Sequence, residues 1–468
     1  MKRVLVLVIA VVLAIGLIFV GCKPEAIIKT VTEKVTETVE VEVEVEVEAP
    51  AEEVAPAAEA EPITITMWDY QTAEGWNDAY NAIIELFQVY YPNVTIERLA
   101  QTHEAGEEVV KASLLAGDYP DLVPIEPGFF MSTVEAGYII DLEPYIQSDP
   151  IWASWVDGYK EDIAVKYNGE GHWRIAADTY HIVVFYFKDI VEQYGLIDPA
   201  LTVADFEENA AILEPEGILP LGNTYQGNYQ AAHCFGTFVS QQVGNNTDAW
   251  HMFEQACMGE ISWQNDIFKT ALEGVAKLYD HSSDDAIALG YDESILRIME
   301  KKGVYHMYLG SWMISDIETQ LADDVAAGNV GTLLYPAVTD DVDTYFYGSG
   351  LGCQYSVSSQ IEGAQLEATL AWAKFINSPQ ASAIFLQHSI MPIGAPVKNL
   401  DEIVSPFFAD YLEVVYTGKG CPEYNPGFFD VKPEVTDSFY NNFARLLTGE
   451  ITVDGYVEDM DIVCGFGG

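Results

Sequence analysis

Residues 63–96 read ITITMWDYQTAEGWNDAYNAIIELFQVYYPNVTI. Ile63-Thr64-Ile65-Thr66-Met67 alternates β-branched residues and predicts a strand. From Trp76 to Tyr90 the apolar residues Tyr80, Ile83, Ile84 and Phe87 recur at helical spacing, which predicts a helix. Pro92-Asn93 breaks it, and Val94-Thr95-Ile96 resumes as a second strand, so the stretch opens a βαβ unit. Working outward, a helix is predicted around Glu107 to Leu115, stopped by Gly117, before Pro120-Asp121 enters the short strand Leu122-Val123. Asp121 reads as structural, a turn-fixing carboxylate that bonds nearby backbone N–H groups. Helices alternate with short apolar strands to the C-terminus, which predicts an α/β class with more than one sheet.

The chain has 468 residues, 49% of them hydrophobic, enough for more than one packed core and too apolar for global disorder. Against 73 Asp plus Glu stand 21 Lys plus Arg, a net charge of −52, which excludes nucleic acid and disfavours anionic membrane surfaces as partners. The excess is spread along the chain, as adaptation to a saline exterior or simply as a solvated acidic surface.

Lys2 and Arg3 precede an uncharged run from Val4 to Gly21, the pattern of an export signal over 1–21, ending at Gly21-Cys22. Two readings stay open: lipidation of Cys22, or a retained membrane-spanning anchor. Either way the remainder lies outside the cytoplasm, anchored to the cell membrane. Residues 22–62 follow as an acidic tether whose Val-Glu alternation would place like charges on one face of a strand, so an extended segment is expected. Cys234, Cys257, Cys353, Cys421 and Cys464 remain. Export permits disulfides, and Cys234 with Cys257 and Cys421 with Cys464 are the pairings to test, against buried thiols as the alternative. No Cys/His spacing suggests a metal, and no cofactor motif is present.

Later segments carry a resemblance. Leu114-Leu115-Ala116-Gly117-Asp118-Tyr119-Pro120-Asp121-Leu122-Val123, Ala136-Gly137-Tyr138 through Ile146, and Val184-Phe185-Tyr186-Phe187-Lys188-Asp189 with Tyr194-Gly195-Leu196 occur in order. They are followed by Lys302-Gly303-Val304 with Gly310-Ser311-Trp312, Trp372-Ala373-Lys374-Phe375, and Leu447-Thr448-Gly449-Glu450. The series resembles the extracellular solute-binding proteins of ABC importers, the maltodextrin-binding-like group with the type II periplasmic-binding-protein fold, across 63–468. Phe187 departs from the family's usual Asn, and Thr179-Tyr180-His181 from its more apolar or Ser-rich approach. The resemblance implies a two-lobe fold with a hinge and an interlobe ligand cleft: 63–178 plus 313–376 as one lobe, 179–312 plus 377–468 as the other. It implies a substrate-binding component that hands a small solute, a mono- or oligosaccharide foremost, to the permease subunits of an ABC transporter, without enzymatic activity. A cationic solute such as a polyamine is the alternative, a carbohydrate-acting enzyme a more distant one.

A saccharide site needs aromatic faces for sugar C–H surfaces and polar groups for hydroxyls. Nine Trp and 27 Tyr supply the first, and equally suit a cation. Trp68 and Asp69 follow the first strand at the end where open α/β sheets bind ligands. Glu126 stands just past the Asp121 to Ile125 strand. Tyr180, with His181, lies near the first crossover between lobes. Tyr225, Asn228 and Tyr229 share a Gly-rich aromatic loop. Trp312 follows Gly310-Ser311, and Tyr347 precedes Gly348-Ser349-Gly350, where small residues let a ligand near the backbone. These nine are the expected ligand-binding residues. No G-x-S-x-G, H-E-x-x-H, P-loop or dinucleotide fingerprint occurs.

Overall fold

The computed structural model describes residues 61–467 except 163–164, 227, 395–402 and 430. The export segment, Cys22 and the tether up to residue 60 lie outside the described residues. Contacts divide the chain into two units. The described part of the smaller is residues 61–63 with Leu86–Thr95; there Phe87 stacks on Tyr91 at 4.5 Å and the Ile63 amide donates to the Asn93 carbonyl at 2.8 Å. The larger, Thr64–Glu85 with Ile96–Gly468, carries the features below.

The strands are β1 (Ile63–Asp69), β2 (Val94–Ala100), β3 (Leu122–Val123), β4 (Ile175–Ala176), β5 (Thr179–Ile182), β6 (Val184–Phe187), β7 (Tyr305–His306), β8 (Val330–Leu333), β9 (Tyr345–Leu351), β10 (Gln354–Val357) and β11 (Lys419–Cys421). They form a sheet ordered β2-β1-β3-β10-β4 and two three-stranded sheets, β11-β9-β5 and β7-β6-β8. β1 pairs parallel with β3, Met67 opposite Leu122, and β10 closes antiparallel against β3 and β4. The expected alternation holds: Ile65, Met67 and Asp69 are buried while Thr64, Thr66 and Trp68 are not. Helix Glu74–Tyr90 buries Trp76 and Tyr80 against Phe385, at ring distances of 6.0 and 5.5 Å. Helix His103–Ala116 stops at Gly117, whose φ of +69° is the left-handed cap glycine permits at little cost. Asp121 is structural as expected, with a longer reach than a local turn. Its Oδ2 accepts from the Thr66 amide at 2.7 Å and the Thr66 hydroxyl at 3.0 Å, locking β1 to the turn before β3.

A second core is built on helices Tyr229–Val243 and Asp266–Tyr279. Phe235 lies 6.1 Å from Trp263 and 5.9 Å from Phe439, and all three are fully buried. Each such side chain contributes roughly 2–3 kcal/mol through burial. Gly274 keeps the pair close, because a Cβ there would come within 2.8 Å of Val338 and 2.9 Å of Phe238.

Sheet pairing crosses the expected lobe segments. β8 and β9, which fall in the 313–376 segment, pair with β6 and β5 rather than with the first sheet. The chain rejoins the first sheet only at β10. Beyond residue 376, Phe385 still packs on Trp76 and Tyr80. Three segments converge at the crossing. The Ala177 amide donates to the Cys353 carbonyl (2.9 Å), Gly352 to the Asp178 carbonyl (2.9 Å) and Thr179 to Met391 (3.0 Å), while the Asp178 carboxylate accepts from the Cys353 amide at 2.5 Å.

The five described cysteines are free thiols, so neither pairing to be tested is formed. Cys421 lies in the core with its sulfur 3.5 Å from the Thr237 hydroxyl, and Cys234 packs among the aromatic residues of the same core.

Candidate functional site

From the first sheet come residues at strand ends. Trp68 is half-buried against the cluster of Val110, Leu114 and Phe130. Asp69 is fully buried; both oxygens bond Arg98, and Oδ1 also accepts from the Gln71 amide at 2.8 Å. Its carboxylate is thus spent inside the protein. Burial works against the Arg98 charge, but Asp69 beside it holds the guanidinium above its ordinary value. Glu126 occupies the cap position of helix Pro127–Glu135, half-buried, making no side-chain cap bond. Arg174, just before β4, is fully buried. Its Nη1 donates to the Ile125 carbonyl at 3.0 Å and its guanidinium lies 4.0 Å from the Phe130 ring centre. Nε and Nη2 have no hydrogen-bond partner among the described residues. Burial lowers this guanidinium to about 10, against the pull of Glu126, Asp162 and Glu423.

The other sheets and their helices contribute aromatic rings in sequence of contact. Tyr180, on β5, lies 6.1 Å from Trp312, whose indole N–H donates to the Tyr291 hydroxyl. Tyr291 meets Tyr308 edge-on at 5.5 Å, and Tyr308 lies 5.6 Å from His233. His233 in turn faces Tyr347 at 4.2 Å. Tyr180 returns to a carboxylate, its hydroxyl donating to Glu423 Oε2 at 3.0 Å. Gly348, at φ +74°, makes room for it: a Cβ there would come within 2.4 Å of the Tyr180 ring.

Helix Pro127–Glu135 packs against the 3₁₀ turn Pro426–Phe428, bringing the Glu126 segment to the loop that carries Glu423. Electrostatic reach agrees. Burial raises the Tyr229 hydroxyl, helped by Glu107, Glu126 and Glu423 with Lys111 opposing. Burial also lifts Glu423 to about 7; the Tyr180 hydroxyl works the other way and Glu126 adds to the rise. Burial holds the His233 imidazole neutral, lowered to about 3.

Of the nine expected residues, Tyr180 and Trp312 are in contact, and Glu126 and Tyr229 lie in one electrostatic neighbourhood with Glu423. Tyr229 is 47% exposed, its ring 5.1 Å from Tyr440. Asn228 is buried at φ +63°, with Oδ1 unpartnered among the described residues. Two expected residues are core. Tyr225 is 1% exposed and packed edge-on to Tyr279 at 5.0 Å, because its loop turns inward ahead of helix Tyr229–Val243. Tyr347 is also 1% exposed, and its hydroxyl accepts from the Tyr424 amide at 3.1 Å, so it positions the Glu423 loop from behind. Sequence reading missed Glu423, Arg174, His233 and Tyr308. The one available signal was Glu423 itself, an acid within the Pro-rich aromatic run Cys421-Pro422-Glu423-Tyr424-Asn425-Pro426.

A profile of the bacterial extracellular solute-binding proteins matches residues 82–414. The chain belongs to that family. Membership places it outside the cytoplasm, among proteins that bind solutes. An uncharacterized ABC transporter extracellular-binding protein of Pyrococcus horikoshii is 23% identical over 267 residues, 55% of this chain and 58% of that protein, so the chain spans less than two thirds of that relative. Among solved structures, one from work on xylan utilization by Caldanaerobius polysaccharolyticus superposes with a TM-score of 0.71 at 18% identity, covering 86% of this chain and 99% of that one. A chitin oligosaccharide binding protein gives 0.70 at 16% identity over 87% and 99%. An ABC transporter solute-binding protein of Thermotoga lettingae bound to α-D-tagatose gives 0.68 at 17% over 86% and 100%. The fold of this family member is therefore the two-lobe α/β arrangement of those proteins. Among the described residues no helix is long and apolar enough to cross a membrane, and no group of three or more His, Cys, Asp or Glu could hold a metal ion.

Proposed function

We propose that this family member captures a saccharide outside the cytoplasm and presents it to the permease of an ABC importer. The observation that carries the reading is the aromatic series Tyr180, Trp312, Tyr291 and Tyr308 beside the polar groups Glu423, Glu126 and Arg174. Rings stack on sugar C–H faces, carboxylates accept from hydroxyls, and the buried guanidinium donates to them. Neighbours of the same fold, described as bound to α-D-tagatose or raffinose, support the solute class. The lobes divide at the crossing where residues 177–179, 351–353 and 391 meet, and bending there would close them on the ligand. Cys22 carries the lipid anchor, and residues 22–62 tether the folded body to the membrane.

A thermal-shift screen over sugars, polyamines and amino acids tests the reading. Ligand at 100 times its Kd stabilises the folded state by about 2.7 kcal/mol, so a saccharide should raise Tm by several degrees. A screen in which no saccharide shifts Tm and an amino acid does would overturn it.

A further inference from the structure

Cys257 and Cys464 each close a helix, Asn246–Cys257 and Val453–Cys464, and the two helices pack on one another. Their ends are held together through the segment that follows Cys257. Asp461, one turn before Cys464, accepts from the Ser262 hydroxyl at 2.7 Å and from the Trp263 amide at 2.6 Å. The Trp263 indole N–H in turn donates to the carbonyl of Ala256, the residue before Cys257, at 3.1 Å. Gly259 lies directly on the end of the second helix. A Cβ there would come within 2.3 Å of the Cys464 carbonyl oxygen and 3.4 Å of the Phe466 amide nitrogen. Both cysteines border the same aromatic core, Cys257 buried within it and Cys464 half-buried at its edge. The thiols are also within electrostatic reach, since Cys464 adds to the rise that burial imposes on Cys257.

We infer that Cys257 and Cys464 are joined by a disulfide when the chain folds outside the cytoplasm, fastening the helix Val453–Cys464 to the aromatic core. The pairing differs from both that the sequence suggested, because adjacency here is set by helix packing and by the Asp461 and Trp263 bonds. Backbones held this close are what a bridge requires, and an exterior without a reducing thiol pool preserves it. The oxidant is a small-molecule disulfide. The Cys464 thiolate, the more accessible of the two, attacks one oxidant sulfur, breaking its S–S bond and releasing one thiolate. The Cys257 thiolate then attacks the Cys464 sulfur and expels the second. The two protons given up by the cysteines pass to the released thiolates, and the two electrons reduce the oxidant. Burial pushes the Cys464 thiol up to about 11 in the folded chain, with the Trp263 indole working the other way, so the exchange is faster before packing is complete.

The test refolds the full chain, reduced and unfolded in urea, in mixed reduced and oxidised glutathione, then blocks the remaining thiols and maps peptides by mass spectrometry. The product should carry the Cys257 and Cys464 peptides joined. It should lose two titratable thiols relative to refolding under a dithiol reductant, and melt a few degrees higher. Cys464→Ala and Cys257→Ala should each remove both the linkage and the gain in Tm. If Cys257→Ala fails to fold, Cys464→Ala decides alone, since its side chain is only half-buried. Free thiols at both positions after oxidative refolding overturn the inference. A product linking Cys234 to Cys257 or Cys421 to Cys464 does the same, as does a loss of two thiols that persists in Cys464→Ala. A linkage without a gain in Tm overturns the fastening role.

Discussion

At the scale of single residues, burial separates candidate contacts from scaffolding, and paired substitutions expose the difference. Tyr229, at the start of its helix, is 47% exposed and Tyr225, four positions earlier in the preceding loop, 1% exposed. Tyr229→Ala should leave thermal stability within about 0.5 kcal/mol and weaken saccharide binding ~10-fold or more, the behaviour of an aromatic contact. Tyr225→Ala should cost about 3–5 kcal/mol of stability, the range for emptying an aromatic core position. Melting and titration of both variants check this, and a stable Tyr225→Ala protein with lost affinity would reverse the assignment. Tyr180→Phe removes only the hydroxyl that Glu423 accepts from. It should fold normally and lose about 5–10-fold in affinity, near 1–1.4 kcal/mol, as measured by calorimetry.

At the scale of elements, the crossing between the first sheet and the others rests on Asp178. It is 3% exposed, and burial raises its carboxyl to about 7 although the Cys353 amide works the other way. The folded state therefore holds a proton between about pH 4 and pH 7 that the unfolded chain releases. The stability this group contributes is fully present below about pH 4 and is lost as pH rises through about 7, amounting to at most about 4 kcal/mol. Glu423 titrates in the same direction. Asp178→Asn keeps an acceptor for the Cys353 amide and removes the titration. Urea melts across about pH 4 to 8 should then show a flatter stability profile than the parent chain, and identical profiles would refute the role given to Asp178.

Over the whole molecule, 73 acidic against 21 basic residues make self-repulsion the dominant long-range term. Raising the salt concentration screens it, so Tm should climb steadily with NaCl, in differential scanning calorimetry, before any specific ion effect. A flat or falling Tm would show the acidic surface to be locally neutralised instead. Residues 22–62 carry alternating Val and Glu with little apolar surface to bury, so a chain starting at Ile63 should melt and bind saccharide like the full protein. Loss of its cooperative transition would disprove that independence.

What the sequence determined by itself was everything governed by neighbours along the chain. The alternation at Ile63–Met67, the helical spacing through Tyr80 and Ile83, the stop at Gly117 and the order of later motifs together set the α/β class and the family, because period, capping and local order are written in adjacent residues. They also placed Tyr180, Trp312, Glu126 and Tyr229 among the candidates. Tertiary structure alone decided which aromatics are left exposed and which fill a core. Tyr225 and Tyr347 carry the same local signals as Tyr229 and Tyr180, and only packing from residues such as Tyr279 and His233 assigns them. It alone brought Arg174 and Glu423 within electrostatic reach although 249 positions separate their numbers, and it alone moved β8 and β9 to the sheets of β6 and β5. Strand edges and buried charges find partners by distance in space, and spacing along the chain carries no record of that distance.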